Sequence, residues 1–377
     1  MITLVVFILI LSLLVLIHEL GHFLVARKLG VRVEEFGFGI PPRIWGKKIG
    51  ATVYSLNALP FGGFVKVAGE DESEVFDKKD MGNFANINPW KRILILVAGV
   101  TMNVVLAVSV FYIFFGINNF RTSSLPLLYD YDFKYGKIVK NNTVIFGFED
   151  GSAAQKAGVG LGEAILEIDG KRVFNVYDVR YQVKDRAGKE LWVKLLDTKK
   201  IKPAVREVKI VPTADSKGNG FLGVALATSI NIDYGGSLVS KITSGFQHAY
   251  NILGYSLSTF SQLVSSSVAQ KSVEPVSMGV SGPVGIFSVV GIILSYRGLD
   301  AVLGLLDFIA ILSLSLAFIN ILPIPALDGG RTAFVLFEAI TRKKVNPKFE
   351  ANLHKWGMIG LLALTVVITA KDIVNLF

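Results

Sequence analysis

The sequence predicts a polytopic α-helical membrane protein with four transmembrane helices, a membrane-associated β-hairpin and one inserted extracytoplasmic α+β domain. Two observations carry this. Of 377 residues, 51% are hydrophobic and only 18% are charged, whereas a soluble chain carries about a quarter charged residues. The apolar residues also fall into charge-free runs of membrane-spanning length, separated by one strand-rich stretch near the middle of the chain. Disorder is excluded by the same figures. The chain has no cysteine, which excludes disulfide scaffolds, thiolate metal sites and a cysteine nucleophile. Its net charge of +9 suits anionic lipid headgroups better than nucleic acid, and no nucleic-acid-reading motif occurs.

Residues 1–26 form the first expected helix. No charge occurs from Met1 to Ile17, and Arg27-Lys28 close the apolar run. A signal peptide is not expected, because neither a basic leading region nor a small-residue cleavage site flanks it. Residues 27–90 read as a loop containing a hairpin, and 91–120 as the second helix. A third helix is expected within 298–327 and a fourth at 356–377, with a loop at 328–355 between them. The basic residues of 27–92 and of the loop after Asp328 place both loops in the cytoplasm by the positive-inside rule. Both termini and the long 121–274 segment are then outside. Residues 275–296 are uncharged but broken by glycines and Pro283, and are expected not to cross.

His18-Glu19-Leu20-Gly21-His22 is an H-E-x-x-H motif. Residues four apart share a helix face, so both imidazoles can hold one zinc ion. Glu19 is placed to act as general base on a water. An accidental motif is disfavoured, since only four histidines occur in the chain and a carboxyl in a spanning helix is costly. The other histidines, His248 and His354, are poorly placed in sequence. Asp328 suits a third ligand because it ends Asn320-Ile-Leu-Pro-Ile-Pro-Ala-Leu-Asp328-Gly-Gly330, where the breakers let a carboxylate turn inward; an ordinary helix-ending aspartate is the alternative. The site closes only if 275–296 does not span, because Asp328 then shares the cytoplasmic depth of His18 and His22.

These two motifs, in this order and in these helices, resemble the site-2 proteases, the intramembrane zinc metalloproteases, and within them the RseP-like bacterial branch. Phe36-Gly-Phe-Gly39, Pro60-Phe-Gly-Gly-Phe-Val-Lys66 and Ser281-Gly-Pro-Val-Gly285 resemble further family motifs. Gly99-Val-Thr-Met-Asn103 stands where the family usually has Gly-Pro-x-x-Asn. The resemblance implies one Zn2+ per chain on His18, His22 and Asp328, with Glu19 as general base. It also implies a substrate contact by Asn320, for which an interhelical hydrogen bond is the alternative, and by Asn103. The expected substrate is a single-span membrane protein, such as an anti-sigma factor, cut to release a cytoplasmic fragment. The expected setting is a bacterial inner membrane, the expected state a monomer among lipids.

Strand-like flanks and a Pro/Gly break in 49–68 predict two strands joined near Pro60–Gly63. This hairpin would receive an unwound substrate at Tyr54, Leu56, Pro60, Gly62 and Gly63; a plain membrane-surface hairpin is the alternative. Glu70–Asp80 reads as an acidic solvated loop. Residues 126–226 resemble a single circularly permuted PDZ domain through Gly151–Gly158 and Gly162–Gly170, with Phe221, Leu222, Gly223 and Val224 as carboxylate-binding loop. This domain would act as a filter for bulky ectodomains or as a peptide binder. Residues 227–297 read as an amphipathic and re-entrant linker that gates the core or merely connects it. A PDZ-bearing adaptor with a non-catalytic zinc site is the competing function, and a metal transporter a weaker one.

Overall fold

The computed structural model describes residues 2–70, 80, 82–129, 131–173, 176–198, 204–216, 218–296 and 298–374. The expected acidic loop at 70–80 lies almost wholly outside them. The chain opens with α1 (Ile2–Lys28), β1 (Val33–Ile49), β2 (Thr52–Val67) and α2 (Pro89–Ile117). A strand-rich part follows: β3 (Leu125–Pro126), β4 (Lys137–Phe148), α3 (Ala153–Lys156), β5 (Glu163–Ile168), β6 (Lys171–Arg172), α4 (Val176–Val183), β7 (Leu191–Asp197), β8 (Ala204–Ile210), β9 (Thr213–Ala214), β10 (Gly220–Phe221) and β11 (Val224–Asp233). It closes with α5 (Leu238–Gln270), α6 (Glu274–Gly279), α7 (Pro283–Ser295), α8 (Leu299–Ile321), α9 (Asp328–Thr341) and α10 (Pro347–Val374). Two compact units result, one of residues 1–111 with 263–377 and one of residues 112–262.

In the first unit, α1, α2, α8 and α10 are each long and apolar enough to cross a membrane, at 23 to 29 residues and ~1.5 Å rise per residue. The shorter α7 has 13 residues, roughly 20 Å, and does not reach across a ~30 Å core on its own. It packs instead on α1, where fully buried Val290 meets Phe7, Ile10 and Leu14. The start of α7 is fastened by the end of α10. Asp372 Oδ2 accepts the N–H groups of Gly282 and Gly285, both at 2.8 Å, and Lys371 Nζ donates to the carbonyls of Ser277 and Val280. The Ser281–Gly285 motif is thus a helix start capped by a distant carboxylate. Asp372→Ala leaves two N–H groups, one buried and one partly buried, without their acceptor, at about 1.5–3 kcal/mol for a charged hydrogen bond. We expect a clear fall in the unfolding temperature in detergent; an unchanged midpoint would remove the clasp from the fold's energetics.

The sheet has one turn more than expected, at Gly50-Ala51 between paired Ile49 and Thr52, with Gly50 at φ +64°. Residues 35–38 of β1 pair in parallel with 53–56 on one side and antiparallel with 63–66 on the other, so β2 reverses between Leu56 and Gly63, where the break at Pro60–Gly63 is expected to join two strands. Asn57 holds the bend, donating to the carbonyls of Phe38 and Gly39 at 3.2 Å. Pro60-Phe-Gly-Gly63 completes this reversal within β2, with Gly62 at φ +70°, and lies along α1.

In the second unit the sheet order is β3-β11-β4-β5-β7-β8, with β6 paired to β5. The last strand, β11, therefore inserts between the first two, and it runs on to Asp233, past the expected boundary at 226. Ile145, Ile165, Leu191, Val193 and Leu195 fill the core beneath α3 and α4. Glu163 is buried and clamped by Arg206 through Nε at 2.7 Å and Nη2 at 2.8 Å. In the expected carboxylate loop, Phe221 belongs to β10, Leu222 is buried in the core, and Gly223 has φ +68° and accepts from the N–H of Glu149 before Val224 opens β11. His248 of α5 is packed against Tyr234, 3.1 Å from its hydroxyl. Burial pushes its imidazole down to about 3, so it is neutral. Ser237–Gln270, read as an amphipathic helix, is α5 over 33 residues.

Candidate metal centre

The first wall of the site is α1, whose apolar run carries the helix through His18 and His22 on one face. The second is α2. An added Cβ on Gly21 would stand 2.3 Å from the Ala98 carbonyl oxygen, and one on Gly99 would stand 2.4 Å from His22 Nε2 and 2.7 Å from His18 Nε2. The two glycines let the helices approach closely enough for α2 to orient both rings. His22 Nδ1 lies 2.8 Å from the Ile95 carbonyl oxygen. A carbonyl only accepts, so Nδ1 carries the hydrogen and Nε2 turns its lone pair to the centre. Asn103 stands 3.1 Å from His18 Nδ1, and its amide oxygen has no other partner among the described residues. With that oxygen toward the ring it accepts the Nδ1 hydrogen and frees His18 Nε2 in the same way.

The third wall is the turn between α8 and α9. Added Cβ atoms on Gly329 and Gly330 would strike the carbonyls of Leu322 and Ile324 at 2.2 and 2.3 Å. Only glycines allow Pro323–Leu327 to fold back and present Asp328 at the first position of α9. From α10, Gly357 packs directly on Pro325, and His354 Nδ1 accepts the N–H of Ala326 at 2.8 Å. Arg331, one turn beyond Asp328, pairs with Glu70, three residues after β2.

The donor atoms converge. His18 Nε2 and Asp328 Oδ2 are 2.8 Å apart, His22 Nε2 and Asp328 Oδ2 3.4 Å, and the two Nε2 atoms 3.2 Å. Ligands on a tetrahedral zinc with bonds of ~2.0–2.1 Å stand about 3.3 Å apart, so the set fits that ion. Two neutral imidazoles and one carboxylate are a catalytic-zinc donor set, with one position left for water. Half-buried Glu19 lies on the same helix, and an added Cβ on Gly63 would come within 4.0 Å of its Cγ.

The other residues singled out by sequence divide. Pro60, Gly62 and Gly63 lie along α1, with Ser12 Oγ donating to the Pro60 carbonyl at 2.7 Å and Gly62 against Val15. Half-buried Asn320 shares a face of α8 with Ser313 and Ala317. Asn103 is fully buried beside His18. Half-buried Tyr54 packs on Phe23 and Phe36 at the edge of the core. Leu56 is exposed on the hairpin. Conversely, sequence reading gave Gly99 and His354 no role. A small residue four before Asn103 in a helix of large ones was the available signal for Gly99. Gly99→Ala forces both imidazoles to move, and we expect at least the ~10–100-fold loss of zinc affinity typical of a lost supporting partner, read as zinc per purified chain.

Known proteins agree with this chemistry. The profile of Peptidase family M50 matches residues 6–364. A Clostridium perfringens protein named as a zinc metalloprotease is 32% identical over 96% of both chains. A Fusobacterium nucleatum protein named likewise is 31% identical over 97% of both. The Bacillus subtilis regulator of sigma-W protease RasP is 27% identical over 100% of this chain and 99% of its own. The chain belongs to peptidase family M50, the site-2 proteases, and is a zinc metalloprotease of the membrane.

Proposed function

We propose that this protein hydrolyses a peptide bond within or near the transmembrane helix of a single-span membrane protein, releasing a cytoplasmic fragment for signalling. The observation that carries this reading is the convergence of His18, His22 and Asp328 beside Glu19 on a helix fit to span the membrane. These three residues would hold one zinc ion, which would supply Lewis acidity at the scissile carbonyl. Glu19 takes a proton from the attacking water and later passes it to the leaving amine. Asn103 and the Ile95 carbonyl hold the imidazoles in the required tautomer. Glycine at 99 leaves the rings room.

A helical substrate has its carbonyls bonded internally and must be unwound before attack. Pro60–Gly63 lie beside Glu19, so a substrate strand added to the hairpin is held extended at the site, with Asn320 as a further contact. The basic loops put the catalytic end of α1 near the cytoplasmic face of a bacterial inner membrane and both termini outside. The second unit, read as a permuted PDZ domain, then stands outside as a filter for substrate ectodomains, with Phe221–Val224 able to receive a peptide end. The sigma-W regulator named among the relatives favours an anti-sigma-factor-like substrate. The working unit is a monomer in lipid. Proteoliposomes holding the purified chain and a single-span substrate should yield two fragments, lose activity with a zinc chelator and regain it with zinc. Cleavage indifferent to the chelator would overturn the reading.

A further inference from the structure

A cavity of about 910 Å³ opens in the second unit directly after the last turn of α2. Three cationic side chains line it, Arg121, Lys137 and Lys241, with a single carboxylate, Asp233. Arg121 Nε donates to Asp233 Oδ2 at 3.0 Å, so those two charges offset each other. Among the described residues Lys137 and Lys241 have no carboxylate partner. Lys241 Nζ stands over the Phe120 ring, 5.4 Å from its centre. The 33-residue α5 starts at the same wall, its first turn capped by Ser237 Oγ at 3.1 Å from the Ser240 nitrogen, and adds the positive end of its dipole. The cavity is therefore built for an anion.

A second observation says what kind. From the rim, α5 presents Leu238, Ile242 and Phe246 one turn apart, 74%, 63% and 63% exposed. The outer end of α2 continues this apolar face through exposed Ile113 and Ile117, and Tyr112 joins the two by donating to the Ile242 carbonyl and meeting the Phe246 ring edge-on. A water-facing domain does not keep such a stripe uncovered without a partner. Because α2 is a candidate span that ends at Ile117, the cavity sits where hydrocarbon gives way to headgroups.

We infer that this cavity binds the phosphate of an anionic phospholipid whose acyl chains lie along the α5 stripe, tying α5 to the outer membrane surface. The inference rests on the membrane placement proposed above, not on the proteolytic chemistry. The test is native mass spectrometry of the full-length chain extracted from vesicles of mixed phosphatidylglycerol and phosphatidylcholine. Wild type should retain phosphatidylglycerol selectively. Lys137→Gln with Lys241→Gln should weaken retention about fivefold per charge removed, the factor that ~1 kcal/mol per basic residue corresponds to. Ile242→Ser, on the exposed stripe, should weaken it with no change of charge. Undiminished retention in both variants, or equal retention of phosphatidylcholine, would overturn the inference. Complete displacement by millimolar inorganic phosphate would also overturn it, showing a site for a free anion. Lipid retention is read without zinc or substrate, so its failure and a failure of cleavage are separate results.

Discussion

Glu19→Gln is expected to abolish cleavage while leaving zinc content unchanged. The glutamine fills the same space beside His18 and His22 but cannot take a proton, and general-base catalysis is worth about 10²–10⁴-fold. Because the same group must also protonate the leaving amine, the loss should lie at or beyond the upper end of that range. A carboxyl inside a spanning helix costs the fold several kcal/mol, so the neutral variant should unfold at the same temperature as the parent or higher. Wild-type cleavage by the variant, measured on a reconstituted single-span substrate, would show that another group moves the proton.

Asp328→Ala should be equally inactive for a different reason. It removes the only anion from a donor set whose atoms stand 2.8 to 3.4 Å apart. The two imidazoles then face each other 3.2 Å apart with nothing to balance a divalent charge. The loss of zinc affinity should exceed the ~10–100-fold that follows loss of a supporting partner, and metal analysis of the purified variant should find little zinc. A variant that retains one zinc per chain would remove Asp328 from the ligand set. Together the two substitutions separate proton transfer from metal binding, since only the second empties the site.

What could be read from sequence was local. His18, Glu19 and His22 lie within one helical turn and a half, and Asp328 is announced by the prolines and glycines around it. The long charge-free runs show as directly, because a spanning helix needs no partner to be recognised. The rest depends on approach between distant segments. Gly99 matters only because α2 crosses α1 at Gly21, and Asn103 serves His18, 85 positions away in the chain. His354 was set aside as far from the motif, yet it braces the turn that delivers Asp328. The Pro/Gly break at Pro60-Phe-Gly-Gly63 was legible as a reversal, and its glycines also serve close passage along α1. The further turn at Gly50-Ala51 carries a single glycine as its signal. Tyr54 and Leu56 differ in surroundings: Tyr54 is half-buried against Phe23 and Phe36, whereas Leu56 is exposed.

The central claim is that Glu19 and the three converging ligands act on a bond inside a membrane-spanning segment. The most direct measurement is the intact mass of both fragments produced from a defined single-span substrate in proteoliposomes. A cut between residues of the hydrophobic span, absent with Glu19→Gln, is the predicted result. Fragments whose masses place the cut only in the substrate's water-exposed tail would contradict it.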